Sequence, residues 1–144
     1  MTLASSPHGI ILFAHGSRDP LWRGPIEAVA SRIRTEHPKS HVSCAYLELC
    51  EPSLPDAAAQ MIAALQAAIN SIAIHPDSLP ATGQKHLKIR VVPMFLGMGK
   101  HAREDLPELI SELRSAHPQL EFEVTSTVGE DPRVTALLAQ IAVA

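Results

Sequence analysis

Hydrophobic positions along the chain alternate between two patterns. Gly9-Ile10-Ile11-Leu12-Phe13-Ala14 is a short unbroken apolar run that ends in a turn-like stretch, His15 to Pro20. Runs of this kind belong to strands covered on both faces. From Trp22 to about His37 the pattern turns helical: Ile26, Val29, Ala30 and Ile33 recur at helix spacing, and Pro38 stops them. Val42 to Leu49 is a second strand, and Pro52-Ser53-Leu54-Pro55 opens an alanine-rich helix through Met61, Leu65 and Ile69. Leu87 to Leu96 is a third strand, followed by the turn Gly97-Met98-Gly99. A third helix is predicted from about Ala102 or Arg103 to Ala116, with Leu106, Leu109, Ile110 and Leu113 on one face. Pro107 then falls near its first turn, where proline is tolerated. Glu121 to Thr127 alternates as a fourth strand, and Asp131-Pro132 starts the last helix with an N-cap and a first-turn proline. The stretch Ser71 to Lys85, holding Pro76, Pro80 and Gly83, has the composition of a loop or surface insertion.

Strand and helix thus alternate four times. That order predicts an α/β fold: a single three-layer domain over residues 1–144, with a four-stranded parallel sheet flanked by helices. The length of 144 residues suits one domain with a real core. Aromatic residues make up only 3%, so the core is aliphatic and stacking platforms for single-stranded nucleic acid are missing. The formal net charge of −3 also speaks against a nucleic-acid partner. Cys44 and Cys50 form no CxxC motif and are expected as small buried hydrophobes. Met1 to His8 lacks the pattern of a secretory signal, and the run from Gly9 is far too short to span a bilayer. The expectation is a cytoplasmic protein without a membrane partner.

In open α/β sheets, sites gather at the carboxyl ends of strands. His15 follows strand one, Glu48 ends strand two, and Gly97 to His101 follow strand three. These groups converge if the three strands are neighbours. Gly16 lets another group approach the backbone closely. Ser17 and Asp19 are placed to cap the following helix, whose free N–H groups favour an anion, and Arg18 adds positive charge. Lys100 and Arg103 flank His101, while Glu104 and Asp105 suit a first helical turn. Strand alternation turns Glu48 away from the face of Leu47 and Leu49, either into solvent or into use. His8, His37, His41, His75, His86 and His117 lie in the tail, loops or helix ends and take the bland reading.

Several segments occur in a telling order. They are His15-Gly16-Ser17-Arg18-Asp19-Pro20, Leu47-Glu48-Leu49-Cys50-Glu51-Pro52-Ser53 and Val91-Val92-Pro93-Met94-Phe95-Leu96. Then come Gly99-Lys100-His101-Ala102-Arg103-Glu104-Asp105-Leu106-Pro107 and Gly129-Glu130-Asp131-Pro132-Arg133. Together they resemble the short-form sirohydrochlorin cobaltochelatases and the related sirohydrochlorin ferrochelatases. The resemblance implies an ATP-independent lyase with no organic cofactor that inserts Co²⁺ or Fe²⁺ into sirohydrochlorin, for cobalamin or sirohaem. It implies His15 and His101 as metal ligands and proton acceptors, with Glu48 as a further catalytic acid. Ser17, Arg18, Gly99, Lys100 and Arg103 would meet the substrate, its carboxylates complemented by the cations, with Arg23 nearby. It also implies a homodimer, because longer members carry two such halves around one cleft.

Neutral imidazole both ligates such ions and accepts protons near neutrality, as this chemistry requires. Two other classes compete. A phosphate-handling α/β enzyme also uses a His-Gly after its first strand, but histidine phosphatases place Arg directly before it, where this chain has Ala14. No G-x-S-x-G nucleophile elbow occurs. A metal-binding carrier would use the same histidines without turnover.

Overall fold

The computed structural model describes residues 7–72 and 87–144. Its elements run β1 (Gly9–Ala14), α1 (Gly24–Glu36), β2 (His41–Tyr46), α2 (Leu54–Ile72), β3 (Lys88–Pro93), α3 (Lys100–Ala116), β4 (Glu121–Val124) and α4 (Pro132–Val143). A 3-10 turn, Val128–Glu130, precedes α4. All three strand pairings are parallel, in the order β2-β1-β3-β4. The α/β class and the four-stranded parallel sheet are therefore as expected. Ser71 and Ile72 close α2, and the rest of the proposed insertion lies outside the described residues.

Side chains alternate across the strands and build a core on each face. On one face Ile11, Phe13, Ala45, Ile89, Val91 and Phe122 pack against Leu54, Ala58, Met61 and Leu65 of α2, and Leu106, Ile110 and Leu113 of α3. On the other, Leu12, Ala14, Val42 and Tyr46 meet Ile26 and Ala30 of α1. The central strand β1 is nearly all buried, which is why its sequence shows no polar alternation. A Cβ at Gly9 would press on the Met61 sulfur, so that side chain would have to shift to admit one.

Several predicted boundaries move. The second strand stops at Tyr46 rather than Leu49, because the chain turns sharply over 47–51 before its parallel bridge from Tyr46 to Ser53. The third strand ends at Pro93 and the fourth at Val124. Helix α3 begins at Lys100, so Pro107 sits inside it and Glu104 and Asp105 fall beyond the first turn. Their expected role against the helix dipole is thereby lost; Glu104 instead pairs with Lys100 across one turn at 3.9 Å. The two cysteines are free thiols, half-buried rather than enclosed. Helix α4 begins as predicted, with the Asp131 carboxylate accepting the Arg133 N–H at 2.8 Å and Pro132 in the first turn. No residue of α4 is buried, however.

Candidate functional site

The strand order sets the site. β1 lies between β2 and β3, so the segments that leave these three strands emerge side by side along one carboxyl edge. His15 leaves the central strand, Glu48 follows β2, and His101 stands in the first turn of α3, after β3.

The first two are joined. His15 Nε2 lies 3.6 Å from a Glu48 carboxylate oxygen, and both side chains are about half exposed, at 51% and 56%. Backbone bonds carry the strand pairing past the strand ends to hold them: Leu47 N–H donates to the Ala14 carbonyl at 2.9 Å and Glu48 N–H to the His15 carbonyl at 3.0 Å. Gly16 makes this approach possible. Its φ is +99°, and a Cβ there would sit 1.8 Å from the Glu48 carbonyl oxygen. Beyond Glu48, Cys50 N–H donates to the Glu48 carbonyl at 2.9 Å, closing a three-residue turn around Leu49. Leu49 itself has φ +68°, a costly conformation for a side-chain-bearing residue. The strand alternation expected for Glu48 therefore does not apply; this turn, not a pleat, orients it.

A contact of 3.6 Å between half-exposed groups adds little stability. Its chemistry is more informative. His15 Nδ1 lies 3.4 Å from the Gly16 carbonyl. In the tautomer that donates there, the Nε2 lone pair and a carboxylate oxygen confront each other. Two acceptors so placed accommodate a cation or a proton between them. Ligand distances near 2.1 Å in tetrahedral geometry bring two donor atoms to about 3.4 Å from each other. No group of three or more His, Cys, Asp or Glu side chains able to hold a metal occurs among the described residues.

The remaining predicted residues are placed as follows. Ser17 and Asp19 do not cap α1: the Ser17 hydroxyl accepts Asp19 N–H at 3.1 Å, and Asp19 accepts Leu21 N–H at 2.9 Å. They stiffen the loop instead, since α1 starts only at Gly24, with Arg23 as an N-cap lacking a side-chain bond. Arg18, Gly99, Lys100 and Arg103 are exposed on the same edge. A Cβ at Gly97 or Gly99 would meet nothing within 4 Å, so the backbone there is not crowded.

Sequence reasoning missed the apolar character of this edge. Leu21 (84% exposed), Leu49 (49%) and Leu96 (68%) project from three successive loops, beside Trp22. The backbone under Leu96 is fixed from below. The buried Thr127 hydroxyl accepts Phe95 N–H at 3.2 Å and donates to the Phe95 carbonyl at 2.6 Å. Gly129 N–H donates to that same carbonyl at 2.9 Å, and a Cβ on Gly129 would lie 1.7 Å from the Leu96 carbonyl oxygen. The segment Gly129 to Arg133 had stood out in the sequence without a mechanical role, and this clamp supplies one. Two cavities lie elsewhere. One of about 350 Å³ is lined by Arg23, Cys44, Tyr46 and Glu51. The other, of about 530 Å³, lies beside β3, β4 and the start of α4. Burial pushes the Tyr46 phenol up to about 12, so it stays protonated, with its hydroxyl unpartnered. With His15 and Glu48 about half exposed, the histidine edge faces solvent.

Comparison with known proteins matches residues 9–143 to the CbiX family model. A sirohydrochlorin cobaltochelatase from Methanothermobacter thermautotrophicus is 29% identical over 90% of this chain and 87% of its own length. Another, from Methanopyrus kandleri, is 28% identical over 70% of this chain, and the matched stretch spans only 57% of that relative. A CbiX protein from Marinobacter aquaeolei VT8 superposes with a TM-score of 0.66 at 28% identity, over 94% of both chains. The sirohydrochlorin chelatase SirB of Bacillus subtilis subspecies spizizenii, solved with cobalt, shares the fold at a TM-score of 0.62 and 21% identity. That match covers 95% of this chain and 50% of SirB.

Proposed function

This chain belongs to the CbiX family, and from that premise we propose that it inserts Co²⁺ or Fe²⁺ into sirohydrochlorin. The observation that carries the reading is the His15–Glu48 pair, held on neighbouring strand ends and facing solvent, with His101 at the start of α3 after the next strand. The incoming ion is a substrate that must be released, so a sparse nitrogen and oxygen set suits it better than a closed site. His15 Nε2 and the Glu48 carboxylate hold the hydrated ion or take the pyrrole protons that metal entry displaces. His101 is the second imidazole for the same two tasks. Ser17, Arg18, Lys100 and Arg103, with the Gly99 backbone, meet the carboxylates at the rim of the substrate. The exposed leucines meet its apolar ring. No organic cofactor is required.

We further propose that two copies pair to enclose the substrate. The open edge and the match to half of SirB support this. The free thiols of Cys44 and Cys50 fit a reducing compartment, and the cytoplasm is the proposed location. No described helix is long and apolar enough to cross a membrane.

The test is anaerobic mixing of the protein with sirohydrochlorin and Co²⁺, then Fe²⁺, followed by absorption spectroscopy beside His15→Ala and His101→Ala. Acceleration by the wild type, lost in the variants, is expected. A protein-free rate with both metals would overturn the reading; tight metal binding without turnover would identify a carrier.

A further inference from the structure

Arg23 is the one predicted cation that the site above leaves unused. It lines the cavity of about 350 Å³, with Arg34, Ser43, Cys44, Tyr46 and Glu51. The strand order places β2 at the edge of the sheet, and the cavity lies along its outer side. Two of its walls come from the loops that carry the His15–Glu48 pair. Arg23 ends the loop that follows His15, and Glu51 stands three residues after Glu48. Tyr46 joins both: a Cβ on Gly16 would lie 3.3 Å from the Tyr46 Cβ, and Trp22 meets the Tyr46 ring edge-on at 6.2 Å between centroids. The cavity therefore adjoins the metal-facing pair without being part of it.

Its wall offers hydrogen-bond donors that the chain does not use. The Tyr46 side chain is only 2% exposed, and its hydroxyl finds no partner among the described residues. Leaving such a group unpaired is costly, so a partner from outside is favoured. Alternate residues of β2 turn their backbone groups away from β1. The Val42 carbonyl accepts an Arg34 N–H at 2.9 Å, and the Tyr46 N–H donates to the Pro52 carbonyl at 2.9 Å. Cys44 stands between these two, and no described residue bonds its outward N–H. Arg34 has no acid partner among the described residues and keeps most of its guanidinium donors. The acids present compete weakly. Glu27 is drawn to Arg23 at 4.0 Å across one helical turn, and Glu51 is exposed, where water screens it. Phenol, amide and guanidinium donors around one hollow suit a carboxylate.

We propose that this cavity is a carboxylate subsite, filled by one acidic arm of the tetrapyrrole while its ring lies over His15 and Glu48. This rests on the chelatase reading above and adds a place where the ring is gripped from the side. The size agrees: about 350 Å³ is at the small end of ligand pockets, which span roughly 300–1,000 Å³, and admits an arm but not the macrocycle. Arg23 and Arg34 attract the carboxylate, and the Tyr46 hydroxyl fixes it. Gripping an arm there sets the rotation of the ring above the metal-facing pair.

The experiment measures binding of metal-free sirohydrochlorin, by its own fluorescence, to the full-length wild type, Tyr46→Phe and Arg23→Gln. Tyr46→Phe removes only a hydroxyl that nothing described bonds, so its Tm is expected to stay at or above that of the wild type. Its Kd is nevertheless expected to rise about 10-fold or more, as is that of Arg23→Gln, from loss of a bond to a charged group. In parallel, Cys50→Ser leaves Cys44 as the single thiol, on the cavity wall. Sirohydrochlorin at ten times its Kd should slow alkylation of Cys44 by iodoacetamide on the order of 10-fold, read by mass. Glutarate serves as a free carboxylate beside it. Normal binding by the wild type, with both variants unchanged and Cys44 unprotected, would overturn the subsite and leave metal insertion standing. Protection by glutarate but not by sirohydrochlorin would overturn the substrate as the source of the carboxylate. A wild type that binds no sirohydrochlorin would overturn the subsite and the chelatase reading together.

Discussion

Replacing Gly16 with alanine tests how the His15–Glu48 pair is built. The alanine Cβ would stand 1.8 Å from the Glu48 carbonyl oxygen, where ordinary carbon–oxygen contact needs about 3.3 Å. Glu48 must retreat by about 1.5 Å, or Gly16 must leave its φ of +99°. The first route breaks the bonds from Glu48 N–H to His15 and from Cys50 N–H to Glu48, each worth about 1 kcal/mol. A left-handed alanine adds roughly 1–2 kcal/mol. The expected loss is about 3–4 kcal/mol, or roughly 10 °C in Tm for a chain of this size. Displacement of a reacting group by more than an ångström costs about 100-fold in rate. Thermal unfolding and the initial rate of cobalt insertion measure both effects. Gly97→Ala is the control, because its Cβ would touch nothing and the change should stay within about 0.5 kcal/mol. A Gly16→Ala protein that melts within 2 °C of wild type and works within threefold of its rate would refute this account. So would an equal loss in Gly97→Ala.

Thr127→Val keeps the shape but strips the buried Phe95 N–H of its acceptor, and should cost about 1–3 kcal/mol in urea unfolding; no loss would dismiss the clamp under Leu96. Leu49→Ser with Leu96→Ser should raise KM for sirohydrochlorin roughly 10-fold or more at unchanged stability, since both side chains already face water; an unchanged KM would remove them from substrate contact. The Asp131 carboxyl is held down at about 2 by hydrogen bonds from the Arg133 side chain and then its backbone. In the unfolded chain it would titrate near 3.9, so its contribution is complete above about pH 4 and fades as pH falls through 2. Amide exchange in α4 should therefore separate wild type from Asp131→Ala at neutral pH and converge in acid; a pH-independent gap would show that the carboxylate charge is irrelevant.

The fold was legible because its strands and helices differ in period, and β1 and α3 carry that signal strongly. Element ends were less so. Tyr46 to Leu49 looks like continued strand in residue type, but a turn around a left-handed Leu49 interrupts it, and leucine gives no local sign of that backbone. The convergence of His15 and Glu48 was foreseen from strand ends, yet their contact depends on Gly16 meeting a carbonyl more than thirty residues away. The start of α3 was misplaced because Lys100 and His101 precede its apolar stripe. The start of α4 was legible from Asp131-Pro132, but that none of its residues is buried was not.

The strand order also dictates how a nascent chain can close. Gly9 pairs with His41, 32 residues away, and with Ile89, 80 residues away. Closing the longer loop costs about 0.8 kcal/mol more in chain entropy, and that segment must first leave the ribosome. The half that holds His15 and Glu48 is therefore free to assemble while the helix bearing His101 is still being synthesised. During that interval β1 is paired with β2 alone, and the open side of Ile10 to Phe13, which β3 later covers, is the stretch on which a chaperone, or an aggregate, would act.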